Sequence, residues 1–131
     1  MESQYSDQLY VFESPVDTLS RASLENNFKN DKVAWKRKNY LSLAGTSDTA
    51  LPFFLNKRTH IKEIVFCLDN DIAGQQAAEA LSEKYHDKGF YVRIEPPFYK
   101  DYNEDLIDYL TQKKKEKSSL QKSPKTEGLQ L

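Results

Sequence analysis

Three carboxylates in this chain stand directly after apolar runs. Glu13 follows Leu9-Tyr10-Val11-Phe12, and Asp69 and Asp71 follow Ile64-Val65-Phe66-Cys67-Leu68. Carboxylate oxygens suit a hard cation, and an incomplete protein shell leaves positions for water and a phosphate oxygen. Like charges held this close repel one another and raise a carboxyl pKa. A divalent ion offsets that repulsion, and in phosphoryl transfer it polarises a phosphate or orients the attacking group. Mg²⁺ is therefore the expected cofactor, with Mn²⁺ as its substitute. Asp-x-Asp alone leaves a second reading open, in which Asp69 and Asp71 cap a helix and turn the chain. Gly74 likewise leaves room beside the site or serves plain helix–sheet packing.

These groups need elements to position them. Residues 9–12 read as a short buried strand, since they lack the polar alternation of a half-exposed one. Ser14 and Pro15 suit a helix N-cap and first position, with Asp17 closing a capping box. Val16, Leu19, Ser23, Leu24 and Phe28 mark one face of that helix. Lys29, Lys32, Lys36, Arg37 and Lys38 follow, either as a solvated connector or as a phosphate-facing patch. Residues 40–43, 64–68 and 90–94 read as further strands, and 49–56 and 72–85 as helices. A last helix opens at Asp101 or Asn103, with Leu106, Ile107 and Leu110 on its apolar side.

The alternation of strand and helix argues for an α/β fold with a mostly parallel sheet. Function in such sheets collects beyond the carboxyl ends of the strands. Adjacent strands lie about 4.8 Å apart. Glu13, Asp69 and Asp71 share a cation only if the first and third strands are neighbours, which predicts the order 2-1-3-4.

The chain has 131 residues, 38% of them hydrophobic, and a net charge of -1. That fits one domain with a real core, and it makes no global case for nucleic-acid binding. The average hides a split. Residues 113–131 hold six Lys against Glu116 and Glu127, a net of +4, whereas residues 1–112 carry 13 basic and 18 acidic groups. Phosphates would therefore meet bound metal and local basic groups. The single Cys67 allows no internal disulfide, and two His far apart make no zinc cluster. No signal peptide or membrane span is evident, so a cytoplasmic protein is expected. Residues 1–8 read as a flexible N-terminus, 9–115 as the folded domain, and 116–131 as a disordered basic tail or linker.

The motifs resemble those of the Toprim domain, the module shared by bacterial primases, type IA and type II topoisomerases, OLD-type nucleases and recombination-repair proteins. Val11-Phe12-Glu13-Ser14-Pro15-Val16-Asp17, Ile64 through Gly74, and Lys100-Asp101-Tyr102-Asn103-Glu104-Asp105 carry the likeness, in the expected order. It is nearest to the Toprim region of primase-like proteins of mobile elements. The resemblance implies a compact, Rossmann-like domain. It implies Glu13 as the catalytic acid or base and a metal contact, Asp69 and Asp71 as metal ligands, and Lys100 as a phosphate contact. Asp17 lies at a recurring acidic position, and the loop around Lys100 and Asp101 resembles the primase segment before the last helix. This chain has Ser14 and Asn70 where many members have Gly, and Asn tolerates unusual backbone angles well.

The expected function is that of a Mg²⁺-dependent catalytic module of a DNA primase-like protein, acting in nucleotidyl or phosphodiester chemistry. DNA or RNA and nucleotides are the expected partners, with further primase or helicase domains in a larger protein. The alternatives are a non-catalytic metal- and nucleic-acid-binding module of a replication complex, or a small nuclease. The single cysteine gives no zinc-ribbon spacing and the length leaves no room for a separate polymerase or DNA-cleavage domain, so a complete topoisomerase is not expected.

Overall fold

The computed structural model describes residues 6–130, with side chains described to residue 119. Of the flexible segment expected at 1–8, residues 1–5 lie outside the described residues, and Gln8 already opens a strand. Strand β1 (Gln8–Phe12) pairs in parallel with β2 (Asn39–Ser42) on one side and with β3 (Glu63–Phe66) on the other. Strand β4 (Tyr91–Ile94) pairs in parallel with β3. The sheet order is β2-β1-β3-β4, which is the 2-1-3-4 order that convergence of the carboxylates demands. Helices α1 (Pro15–Lys29), α2 (Ala50–Lys57) and α3 (Ile72–Asp87) link successive strands, and α4 (Tyr102–Gln130) follows β4.

The central strands β1 and β3 are apolar after their first residue because both faces are covered, whereas the edge strand β4 leaves Tyr91 and Arg93 exposed. Leu9 and Val11 of β1 join Ile64 and Phe66 of β3 against Leu51 of α2 and Ala78, Leu81 and Tyr85 of α3. Tyr10, Phe12, Tyr40, Val65 and Cys67 point the other way, against Ala22 and Leu24 of α1 and Tyr102 of α4. The period-two alternation thus selects between two cores rather than between core and water.

Helix α1 begins as its sequence requires. The Ser14 hydroxyl accepts from the Asp17 N–H at 3.1 Å, Pro15 occupies the first turn, and Asn30 ends the helix in the left-handed region at φ 49°. Its buried face is not the expected one. Val16, Leu19 and Phe28 are exposed, while Asp17, Thr18, Ser20, Arg21 and Glu25 are buried beside Ala22 and Leu24. The reason is an ion-pair network beneath the sheet. Arg21 bridges Glu25 at 2.9 Å and Glu95 at 3.1 Å, and Lys38 reaches Glu25 at 2.9 Å. Paired, hydrogen-bonded charges can be buried where isolated ones cannot.

Helix α4 spans Tyr102–Gln130, and the domain boundary expected at residue 115 lies within that span. No helix among the described residues is long and apolar enough to cross a membrane.

The first turn of α3 presses on the end of β3. A Cβ on Gly74 would sit 2.2 Å from the Asp69 carbonyl oxygen and 2.8 Å from Glu13 Oε1. Gly74 is therefore a close-packing glycine, and the groups that it accommodates belong to the acidic site. Gly74→Ala is expected to cost about 1–3 kcal/mol through overpacking, read as a lower urea midpoint. An unchanged midpoint would contradict this packing.

Candidate metal centre

Each acidic residue reaches the site from the end of an element. Glu13 lies one residue beyond β1, and its carbonyl accepts from the Gly45 N–H at 2.7 Å. Its Oε1 accepts from the Asp69 N–H at 3.3 Å, which ties the ends of β1 and β3 together. Asp69 lies just beyond β3. Gln75 Nε2 donates to the Asp69 carbonyl at 2.9 Å, so α3 holds the same turn from the other side.

Asp71 caps α3, with Oδ1 accepting from the Gly74 N–H at 2.7 Å. Asp17 lies in the first turn of α1, where Oδ2 accepts from the Ser14 hydroxyl at 2.8 Å. Its Oδ1 accepts from the Asn103 N–H at 3.2 Å, in the first turn of α4. Asp101 precedes α4, and its Oδ1 accepts from the Glu104 N–H at 2.8 Å. The N-termini of α1, α3 and α4 thus all meet the acidic edge, where their partial positive charge favours carboxylates.

The grouping that meets most closely in space is Asp17, Asp69 and Asp101, each offering a carboxylate oxygen within 4.8 Å of the others. It differs from the trio of Glu13, Asp69 and Asp71 read from the sequence. Glu13 stands beside Asp69 as expected, but Asp71 directs one oxygen into its cap. The set fits a hard divalent cation in donor chemistry. Mg²⁺ binds oxygen at about 2.0–2.1 Å, so opposite ligands lie about 4.2 Å apart. Adjacent ligands lie only about 3 Å apart, so the three oxygens must draw together or take a ligand through water.

The electrostatics agree with this fit. Burial pushes the Asp69 carboxyl up to about 7, with Glu13, Asp17, Asp101 and Asp71 adding like-charge repulsion. Burial also raises Glu13, opposed by its hydrogen bond from the Asp69 N–H and reinforced by the Asp71 charge. A bound cation would favour the charged forms that burial and crowding disfavour.

Asn70 brings in the third carboxylate. Its backbone N–H donates to the Lys100 carbonyl at 2.6 Å, and its Nδ2 donates to the Pro97 carbonyl at 3.2 Å. Two hydrogen bonds therefore clamp the loop before α4 onto the β3–α3 turn, and Asp101 arrives with that loop. Glycine at this position would lack the side-chain bond. Lys100 is exposed beside Asp101, and its N–H donates to Glu104 Oε2 at 3.2 Å.

The other basic candidates lie elsewhere. Arg37 and Lys38 precede β2, so in a parallel sheet they sit at the edge opposite the carboxylates. Arg37 pairs with Asp31 at 2.7 Å. Lys38 Nζ binds Glu25 and stands 4.6 Å from the centre of the Tyr10 ring. The structure does not bring either to the acidic site. Asp17 and Asp101 were visible in the sequence as helix caps; their meeting depends on α1 and α4 packing side by side.

A family model described as Toprim-like matches residues 10–106. The chain is 34% identical over 102 residues to the "Uncharacterized protein MG010 homolog" of Mycoplasma pneumoniae, covering 72% of this chain and 46% of that protein. It therefore spans about half the length of the curated relative that it matches. Among solved structures, the primase fragment of the bacteriophage T7 primase-helicase protein superimposes with a TM-score of 0.57 at 19% identity. That match covers 82% of this chain and 40% of the fragment, and at this identity it speaks for the fold.

Two outcomes follow from the geometry. In EDTA, Asp69→Asn is expected to raise the urea midpoint at about pH 8 and to lose that gain below about pH 4. Folded Asp69 keeps its proton up to about 7, against an ordinary value of 3.8, so its charged form opposes folding above that window. An equal gain at both pH values would contradict the repulsion. Asn70→Ala is expected to cost about 1 kcal/mol and to speed hydrogen exchange of the Tyr99 and Lys100 amides. Unchanged exchange would contradict the clamp.

Proposed function

The chain belongs to the Toprim-like family, and on that premise we propose that it is the Mg²⁺-dependent catalytic module of a DNA primase-like protein. Its chemistry would be nucleotidyl or phosphodiester transfer on DNA or RNA, with nucleotides as co-substrates. The observation that carries this reading is the meeting of Asp17, Asp69 and Asp101 beside Glu13 at the carboxyl edge of the sheet. The setting we propose is DNA replication in the cytoplasm, within a larger protein of the kind carried by mobile elements, alongside further primase or helicase domains.

Asp69 would hold the cation with Asp17 and Asp101, and the second oxygen of Asp71 is available to a bound water. When bound, Mg²⁺ neutralises and polarises phosphate oxygens. Glu13 is the group proposed to move the proton. It is partly buried, its carboxyl is raised, and it borders Asp69 without belonging to the tightest cluster. Such a carboxyl is tuned toward the pH at which it works as an acid or base. Lys100, exposed next to Asp101, is proposed to meet a substrate phosphate.

A second reading is a non-catalytic metal- and nucleic-acid-binding module, or a small nuclease. One observation favours the non-catalytic form: Asp17, Asp71 and Asp101 each accept a backbone N–H and so have structural work without a substrate.

Calorimetric titration with Mg²⁺ and Mn²⁺ is expected to show binding that Asp69→Ala weakens by about tenfold or more. Glu13→Gln should keep the metal and lower primer synthesis by about 10²–10⁴, assayed in the full gene product. Cleavage of DNA in place of primer synthesis would favour the nuclease. Metal binding with neither activity would favour the binding module, and metal binding unaffected by Asp69→Ala would remove the site.

A further inference from the structure

A second site lies away from the acidic edge. The segment after β4 folds back along α4, and between it, α1 and α4 there is a cavity of about 350 Å³. Phe28, Phe98, Tyr99 and Tyr109 line it, and their rings form two edge-on pairs. Phe98 and Tyr99 meet at 5.0 Å and 85°, and Phe28 and Tyr109 at 5.4 Å and 89°.

Phe28, Phe98 and Tyr99 are exposed and Tyr109 is half-buried, yet the chain that carries Phe98 and Tyr99 is held firmly. Phe98 is 82% exposed and Phe28 61%. The N–H groups of Phe98 and Tyr99 donate to Asp105 Oδ2 at 2.8 Å and Oδ1 at 2.7 Å. The Tyr102 hydroxyl donates to the Glu95 carbonyl at 2.6 Å, and Pro96-Pro97 stiffens the chain between. A fixed aromatic surface open to water loses little further freedom on binding, which favours recognition.

The charges at the cavity choose the ligand. Arg21 at its floor is neutralised by Glu25 and Glu95. Asp105 and Asp108 also line it: Asp105 holds the Phe98 and Tyr99 N–H groups, Asp108 faces the Tyr99 hydroxyl, and neither carboxylate has an ion-pair partner among the residues of the lining. Aromatic faces attract cations, and carboxylates add charge-assisted hydrogen bonds. A planar guanidinium satisfies both, by stacking on a ring while its fork meets a carboxylate. A phosphodiester backbone would meet the negative charges of Asp105 and Asp108 and, in the lining, only the Arg21 cation that Glu25 and Glu95 neutralise.

We propose that this cavity docks an arginine-bearing segment of a partner protein, with the guanidinium between the exposed rings and Asp108. The proposal goes beyond the metal-dependent reading and does not rest on it. It is tested on the full chain in EDTA, which keeps the acidic edge free of metal. The probe is the blocked tripeptide Leu-Arg-Leu, followed by NMR and compared with its citrulline and Glu counterparts and with a short oligodeoxythymidylate.

The arginine peptide is expected to shift the amides of Phe98, Tyr99 and Tyr109. Citrulline should bind at least about fivefold more weakly, and the Glu peptide should not bind. Asp108→Asn and Phe98→Ala should each weaken binding by about fivefold or more. Phe98 is exposed, so its variant should keep the wild-type spectrum elsewhere. No shift up to about 10 mM peptide would overturn the proposal. So would equal binding of the citrulline peptide, wild-type affinity in Phe98→Ala, or stronger shifts of these amides by the oligonucleotide.

Discussion

The acidic site depends on the pairing of β1 with β3. These strands are separated in sequence by a helix, a strand and a second helix, and the parallel ladder joins Gln8 to Glu63 and Val11 to Phe66. Only this adjacency puts Glu13 against the backbone of Asp69. The helices obey the same constraint. Every crossover in a parallel sheet returns the chain to the same edge, so helix N-termini gather where strands end. Carboxylates that cap those helices are thereby brought toward one another, and local capping chemistry becomes a candidate cation site.

Such a gathering works against stability. Asp69 is surrounded by Glu13, Asp17, Asp71 and Asp101, and burial holds its proton near neutrality. The ion-pair network beneath the sheet counters this tendency to spread. Arg21 of α1 binds Glu95 beyond β4, Glu95 receives the Tyr102 hydroxyl at 3.1 Å, and Lys38 before β2 binds Glu25 of α1. Burial alone would raise the Glu95 carboxyl, but Arg21 holds it below its ordinary value. Buried ion pairs add little net stability, yet breaking one partner is costly, so they fix a single arrangement of the helices. Here that arrangement sets Asp17 against the first turn of α4 and so next to Asp101.

Much of this was legible in the sequence, and the parts that were not have a common cause. Uninterrupted apolar runs reported strands covered on both faces, and the acidic residues after them implied the strand order that the sheet adopts. Glu13 and Asp69 could be named because each directly follows an apolar run. The buried face of α1 could not, because hydropathy places Val16, Leu19 and Phe28 inward and cannot see that Arg21 and Glu25 find partners on other elements. The ion pair of Lys38 was hidden for the same reason: its partner Glu25 lies on another element. Asp17 and Asp101 were readable as caps, but their approach to Asp69 depends on helix packing and on the Asn70 clamp, which no local pattern reports.

The central claim is that carboxylates from three elements form one cation site at the end of β3. The position of bound Mn²⁺, located by anomalous diffraction from crystals of the full chain, tests it most directly. The account predicts a peak bonded to Asp69, with Asp17 or Asp101 supplying a second oxygen and Glu13 alongside. A peak elsewhere on the molecule, or none at millimolar Mn²⁺, would contradict it.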